Sequence, residues 1–558
     1  MRWQLQSQEI IKDLESLEKL LLSSRAITDP QEFFNPPNPS TLDLEELGFL
    51  PDELVKASQL MMTARAERQK IVIFGDYDAD GISATAILWR LLHAHGWLVT
   101  PFIPERSNHG YGLSQAGLKA VIEAHSPDIV LTVDNGIVAH QAVAELEAAG
   151  IKTIITDHHQ PEKTATGVVK SPPASAVLLS TKLCGASVAW TFGRYLAESL
   201  PELADDLEAG LDMAGLATIA DQVPLVGANR SFAYHGIRAL KRSQRVGLKA
   251  LLKTSGVDQS SLDTTAINFG LAPRINAMGR LEHGLDALRL LCTHSARQAG
   301  ELASLLSDTN TRRQTVTADQ LAHARGLAED QLDQHLIVVA SDQYHEGVIG
   351  LIAGHLAQEF SKPAIVMSIG EKTIKASARS LIGINVVELI RQVRDDLLEV
   401  GGHPMAAGFG LEASKLELVR SRLHQLALEV IAPEQLEATL ELEANLDPSL
   451  LTLDTYWQIN KFAPFGQGNF EPIWQVEGLE VERVSQIGRE GKHLKILLKL
   501  PDGRGLVEAL GWGMGEMAEE LEARVAGNQA SDLKLGVVLE RNQWRDREKL
   551  QLRVVGVG

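Results

Sequence analysis

KIVIFGDYDADG (residues 70–81) runs from an apolar, β-branched segment straight into three aspartates at alternate positions. Two further segments share this plan, DIVLTVDNG (128–136) and IKTIITDHH (151–159). Between them lie SATAILWRLLHAHG (83–96) and VAHQAVAELEAAG (138–150), with apolar residues at three- and four-residue spacing and a closing Gly, the pattern of amphipathic helices. Strands alternating with helices of this length predict right-handed βαβ units around a parallel sheet, hence an α/β fold. Continuous apolar strands fit a sheet covered on both faces. In such folds ligands bind beyond the carboxyl ends of the strands, where all three polar tips fall.

Asp76, Asp78 and Asp80 on one tip are costly unless something positive sits among them, because close carboxylates repel and raise one another's pKa. A solvated turn or helix cap would account for a lone Asp-x-Asp. It does not account for Asp134 and Asp157-His158-His159 at the same edge of the same sheet. Carboxylates with imidazoles and no thiolate favour Mg²⁺ or Mn²⁺. The acids exceed the needs of one ion, so two ions about 4 Å apart are expected, the usual device for phosphodiester hydrolysis.

The chain has 558 residues, 44% apolar and 22% charged, which suits several globular domains rather than a disordered tail. No apolar run is long enough to span a bilayer, and Glu9, Asp13, Glu15 and Glu18 interrupt the N-terminal apolar positions, so no secretory signal is expected. With only Cys184 and Cys292, a disulfide framework is excluded and a cytoplasmic location is expected. The formal charge of −19 argues against a polyanionic partner if charge is taken as uniform. It is not uniform. Residues 226–253 hold no acid but seven basic residues, Arg230, Arg238, Lys241, Arg242, Arg245, Lys249 and Lys253, while 42–54 and 429–447 are acidic. A basic groove on an acidic protein is therefore expected.

GDYDADG, VDNG, TDHH and ATIADQVPL (217–225), in this order and spacing, resemble the four motifs of the DHH phosphoesterase superfamily. PRINAMGR (273–280), GGHPMAAG (401–408) and five strand-like segments after residue 476 narrow the resemblance to the RecJ family of bacterial single-strand-specific DNA exonucleases. The resemblance implies a two-lobed DHH phosphoesterase: an N-terminal helical segment (1–55), a DHH catalytic domain (56–283), a connecting helix (284–330), a DHH-associated domain (331–432), a linker (433–475) and an OB-type β-barrel (476–558). It implies that Asp76, Asp78 and Asp134 hold one Mn²⁺ or Mg²⁺ ion, and Asp80, Asp134, His158 and Asp221 the other. His159 would meet the scissile phosphate, with Asp157 orienting the imidazoles. Arg106, Arg274, Asn276, Arg280, Ser377, Arg379 and His403 would contact phosphate; the family loop usually has glycines where Ala376 and Ala378 stand.

The implied activity is 5′→3′ hydrolysis of single-stranded DNA to mononucleotides in repair and recombination, by a monomer working with a helicase and single-strand-binding protein. Arg489, Lys492, Lys495, Arg541, Arg545 and Arg547, with Trp544, would give the barrel a basic, stacking surface for the strand. Two alternatives share the motifs: an oligonucleotide or cyclic-dinucleotide phosphodiesterase, and a non-catalytic DNA-binding scaffold. The barrel and the chain length disfavour the first; the intact acid cluster disfavours the second.

Overall fold

In a computed structural model of the chain, residues 2–110, 112–162, 167–526, 533–544 and 547–558 are described. They form two compact units, one of Pro37–Glu437 and one of Met1–Pro36 with Ala438–Gly558.

The larger unit opens with a five-stranded, all-parallel sheet of β1 (Lys70–Phe74), β2 (Leu98–Phe102), β3 (Ile129–Val133), β4 (Lys152–Asp157) and β5 (Ala176–Leu179). Their order is β2-β1-β3-β4-β5. The chain thus reverses direction of winding between β1 and β3, and ligands of such sheets bind in the crevice at that reversal. Every residue of β3 is buried, as are all but the first of β1 and β4. The sheet is covered by α1 (Ala79–Ala94) and α2 (Gly185–Ser199), among other helices. The edge strands β2 and β5 were not isolated by apolar patterning. Pro101 interrupts β2, and β5 alternates buried and part-buried residues.

Behind this layer, α3 (Leu211–Ala220) packs on the helix Gly227–Arg242. Their backbones approach so closely at Gly215 and Gly236 that a Cβ on either would lie 2.4 or 2.3 Å from the other's Cα. α4 (Ala272–Leu281) leads through a short helix (Leu285–Cys292) to α5 (Ala296–Glu329). At 34 residues, α5 is about 50 Å long. Ser295 caps it by accepting the Gln298 N–H.

α5 delivers the chain to a second sheet of β6 (Ile337–Ser341), β7 (Ala364–Ile369), β8 (Thr373–Arg379), β9 (Glu399–His403) and β10 (Ala406–Glu412), in the order β9-β10-β8-β7-β6. Only β6 and β7 run parallel; the rest pair antiparallel. Ala376 and Ala378 are buried within regular β8, so no left-handed backbone is needed where the family loop usually has glycines.

In the second unit, Trp474–Glu477 and Glu480–Ile487 are two halves of one bent strand, with Gly478 at φ +75° in the bend. The first half pairs with Lys534–Trp544 and the second with His493–Lys499. Leu506–Gly511 pairs parallel with Arg547–Val557, which pairs antiparallel with Lys534–Trp544. A strand shared in this way by both ends of a five-strand sheet is the closure of an OB barrel.

The boundaries assigned to 1–55 and 433–475 need correction. Arg2–Leu5 pairs parallel with Thr439–Leu442, and Ile10–Ile11 with Asn445–Leu446, so 2–36 and 438–475 are built into the barrel's unit, while 37–55 and 433–437 belong to the larger one. Leu17 and Leu21 join its core, and Phe33 and Phe34 pack on Phe462. Arg25 donates to Glu443 at 2.8 Å, with both side chains 9% exposed. Two-residue strands paired across four hundred residues leave no local periodicity. Glu443→Ala leaves the Arg25 charge buried and unmatched, and should lower the unfolding free energy of this unit by about 3 kcal/mol in denaturant titrations.

Candidate metal centre

The centre begins where β1 ends. Asp78 caps α1, its Oδ1 accepting the N–H groups of Asp80 and Gly81 at 3.0 Å. This turns the neighbouring acids inward: Asp76 and Asp80 are each 2% exposed. The turn has no space to spare, because a Cβ on Gly81 would fall 2.6 Å from the Asp76 backbone. Asp80 is held by the start of α2, its two oxygens accepting the Gly185 and Ala186 N–H groups at 2.6 and 2.7 Å. A helix N-terminus is a favourable place for a carboxylate.

Asp134 follows β3 with φ +61°, a left-handed backbone that side-chain-bearing residues rarely adopt. Its N–H donates to Thr156 O, and Asn135 Nδ2 donates to Val133 O and Phe74 O, so the turn is pinned to both neighbouring strands. The carboxylate is 2% exposed, and its Oδ1 accepts no hydrogen bond. Gly185 makes the space for it, since a Cβ there would sit 2.6 Å from that oxygen. Asp157, the last residue of β4, is satisfied by protein alone. It accepts from Ile137, His158 and His159 N–H groups, and His159 Nδ1 lies 2.8 Å from its Oδ1.

His158 gathers the rest. Its Nε2 lies 3.1 Å from Asp134 Oδ1, 3.8 Å from Asp80 Oδ2 and 3.8 Å from Asp221 Oδ2. Donor atoms of Asp80, His158 and Asp221 lie within 4.8 Å of one another, as do those of Asp134, His158 and His159. Asp221 comes from the C-terminal end of α3, far along the chain from the other acids.

This arrangement is electrostatically unfavourable by itself. Burial, then repulsion from Asp78, pushes Asp76 up to about 7. Burial and repulsion among the acids also raise Asp80, Asp134 and Asp221. Burial lowers His158. Burial would lower His159 too, but its hydrogen bond to Asp157 and the charges of Asp157, Asp76 and Asp221 push it up to about 9. Buried oxygen donors with a matching imidazole, one oxygen orphaned, fit hard divalent cations such as Mn²⁺ or Mg²⁺.

A group of arginines stands beside the acids. Arg106 lies over the Tyr77 ring at 5.0 Å and donates to its hydroxyl. Arg280 donates to Gly347 O, and Arg379 to Ser377 Oγ and Ala378 O. Burial, then repulsion from Arg106, Arg313 and Arg379, brings Arg280 down to about 10. None of these four arginines forms an ion pair among the described residues. Arg313, on α5, was missed because one Arg in a solvated helix face carries no signal. His403, from the second sheet, stacks on His159 with ring centroids 6.3 Å apart.

Two of the residues expected to contact phosphate have protein partners here. Asn276 accepts the Ala79 N–H at 2.7 Å, so its side-chain oxygen pins the acidic turn. Arg274 donates to Gly270 O and Ser307 Oγ, outside the arginine group. The basic run is also partly structural, since Arg230 is buried and Arg245 pairs with Asp212 at 2.8 Å. In the barrel, Lys492, Lys495 and Arg541 face Glu490, Glu508 and Glu548, which reduces its basic character. Arg545 and the Trp544 side chain lie outside the described residues.

Residues 70–216 match the family model of the DHH family N-terminal domain, 333–429 that of the DHHA1 domain, and 442–556 that of the RecJ OB domain. The single-stranded-DNA-specific exonuclease RecJ of Thermus thermophilus is 34% identical over 90% of this chain and 70% of its own length. The Bacillus subtilis protein of that name is 34% identical over 89% of this chain, which spans 62% of it. The Escherichia coli protein is 28% identical over 97% of this chain and 95% of its own. Among solved structures, RecJ of Thermus thermophilus in complex with Mn²⁺ superimposes with a TM-score of 0.81 and 30% identity, covering all of this chain and 79% of that one.

The raised acids set a pH dependence. In the metal-free fold they keep protons that the unfolded chain releases above about 4, so their contribution to stability falls as pH rises toward 7. Cations replace those protons. Mn²⁺ should therefore raise the melting temperature more at pH 7.5 than at pH 5, by at least about 4 °C, and Asp134→Ala should remove most of that difference in thermal melts.

Proposed function

The chain belongs to the RecJ family, and on that footing we propose that it is a 5′→3′ exonuclease of single-stranded DNA that releases mononucleotides. The observation that carries the reading is the adjacency of a buried acid–imidazole cluster and four arginines that form no ion pair among the described residues. The first suits a scissile phosphodiester; the second suits a further phosphate that belongs to the strand end. A terminal phosphate held in this way makes cutting start at an end and fixes its direction.

In this reading Asp76, Asp78 and Asp134 hold one divalent ion, and Asp80, Asp134, His158 and Asp221 the other. Ions held by these residues would supply an activated water and offset charge on the phosphate oxygens. The protein supplies position and protons. Asp157 orients His159, which meets the phosphate or gives a proton to the leaving oxygen. His403 approaches the same phosphate from the second sheet, stacked on His159. Arg106, Arg280 and Arg379, with Ser377 fixing Arg379, receive the terminal phosphate. Arg274 is left to contact the strand elsewhere. The setting is cytoplasmic repair and recombination, with a monomer following a helicase on strands coated by single-strand-binding protein.

The test is release of labelled mononucleotide, with Mn²⁺ or Mg²⁺, from a 5′-labelled single strand, the matching duplex and a dinucleotide. Rapid release from the single strand alone supports the reading; cleavage confined to the dinucleotide sinks it. Asp134→Ala should lower kcat at least about 100-fold. Arg379→Ala should lower kcat/KM about tenfold or more on 5′-phosphorylated strands, and much less on 5′-hydroxyl strands.

A further inference from the structure

Just before α4, the backbone of Ala266–Leu271 widens into a π-helix. Such insertions cost helix regularity and recur at functional sites. Ile267 and Leu271 are buried in the core, whereas Phe269 between them is 79% exposed. A large aromatic ring in water is a cost that a polar residue at the same position would avoid. The turn is also tied to the metal centre. Gln222, next to Asp221, has a left-handed backbone with φ +60°. Its side-chain amide donates to Ile219 O and, at 3.0 Å, to Asn268 Oδ1. The residue beside Phe269 is therefore hydrogen-bonded to the residue beside a candidate metal ligand. On the other side, Arg274 turns back to donate to Gly270 O, which fastens a guanidinium to the carbonyl of the residue that follows Phe269.

An exposed aromatic ring, with an arginine held on the next residue's carbonyl and a hydrogen bond running to the proposed phosphodiester-cleaving centre, is the combination that receives an unpaired base and its phosphate. We propose that Phe269 is a stacking platform for one base of the substrate strand, with Arg274 contacting the phosphate beside it. This rests on the exonuclease reading above and adds the residue that holds the strand by its bases. A base inside a duplex has both faces already stacked, so the platform engages single strands selectively. The Gln222–Asn268 bond sets the distance between the stacked base and the cleavage centre.

The test uses the full chain with Mn²⁺ and a 5′-phosphorylated single strand. Phe269→Ala should raise KM about 5- to 100-fold with little change in kcat, and Phe269→Trp should restore it. Phe269→Leu keeps the apolar surface but not the ring face, and should restore little. An abasic nucleotide is then stepped along the strand from the 5′ end. At one position it should weaken the wild type to the level of Phe269→Ala while leaving that variant unchanged. Equilibrium binding of the same strands without added metal should show the same pattern, independent of turnover. A wild-type KM in Phe269→Ala, full rescue by leucine, or equal effects of every abasic position would overturn the proposal. If the wild type binds the strand with this pattern but does not cut it, the exonuclease reading fails and the platform stands. If it cuts with no effect at Phe269, only the platform fails.

Discussion

Several carboxylates must share one small, dry volume, and the rest of the larger unit is organised around that constraint. Asp76, Asp80 and Asp134 are each 2% exposed, and burial, together with repulsion from neighbouring acids, raises the proton affinity of all three. A fold tolerates such a site only if other interactions hold each acid in place. Asp78 caps its own helix, α2 presents its first N–H groups to Asp80, and the turn after β3 is fastened to the strands on either side. Gly81 and Gly185 are part of the same solution, because a methyl group at either would occupy space the acids need. The remaining imbalance is what a pair of divalent cations would remove.

The positive side of the site is built by the opposite means. Arg106 follows β2, Arg280 ends α4, Arg313 lies on the long helix and Arg379 ends β8. Burial, then repulsion from Arg106, Arg313 and Arg379, lowers the proton affinity of Arg280. Among the described residues, the buried acids and these arginines thus form no close ion pairs with one another, which leaves both groups open to a ligand that carries metal and phosphate. A direct Asp–Arg pair would have satisfied the charges and closed the site. The net charge of −19 is therefore no guide to what the centre binds, because it averages over surfaces that never meet the substrate.

Much of the catalytic layer was legible in the chain before any coordinates. Strand direction, the alternation of strands with helices and the position of a polar tip are local properties, and they place Asp76, Asp134 and Asp157-His158-His159 at one sheet edge. The five strands of the barrel were legible for the same reason, since each alternates within a short window. Asp221 was assigned by resemblance alone, because an aspartate closing a helix has no distinctive pattern.

By itself, then, the sequence determined the parallel sheet, the edge at which the polar tips gather and the acid–imidazole character of that edge. Tertiary structure alone decided which donors converge on His158, that Asn276 pins the acidic turn, and that Arg313 joins the arginines while Arg274 does not. It also decided that the first 36 residues belong with the barrel. The physical reason is range. Periodicity reports what a residue does within its own helix or strand, whereas these outcomes depend on segments brought together by the burial of apolar surface far from the site.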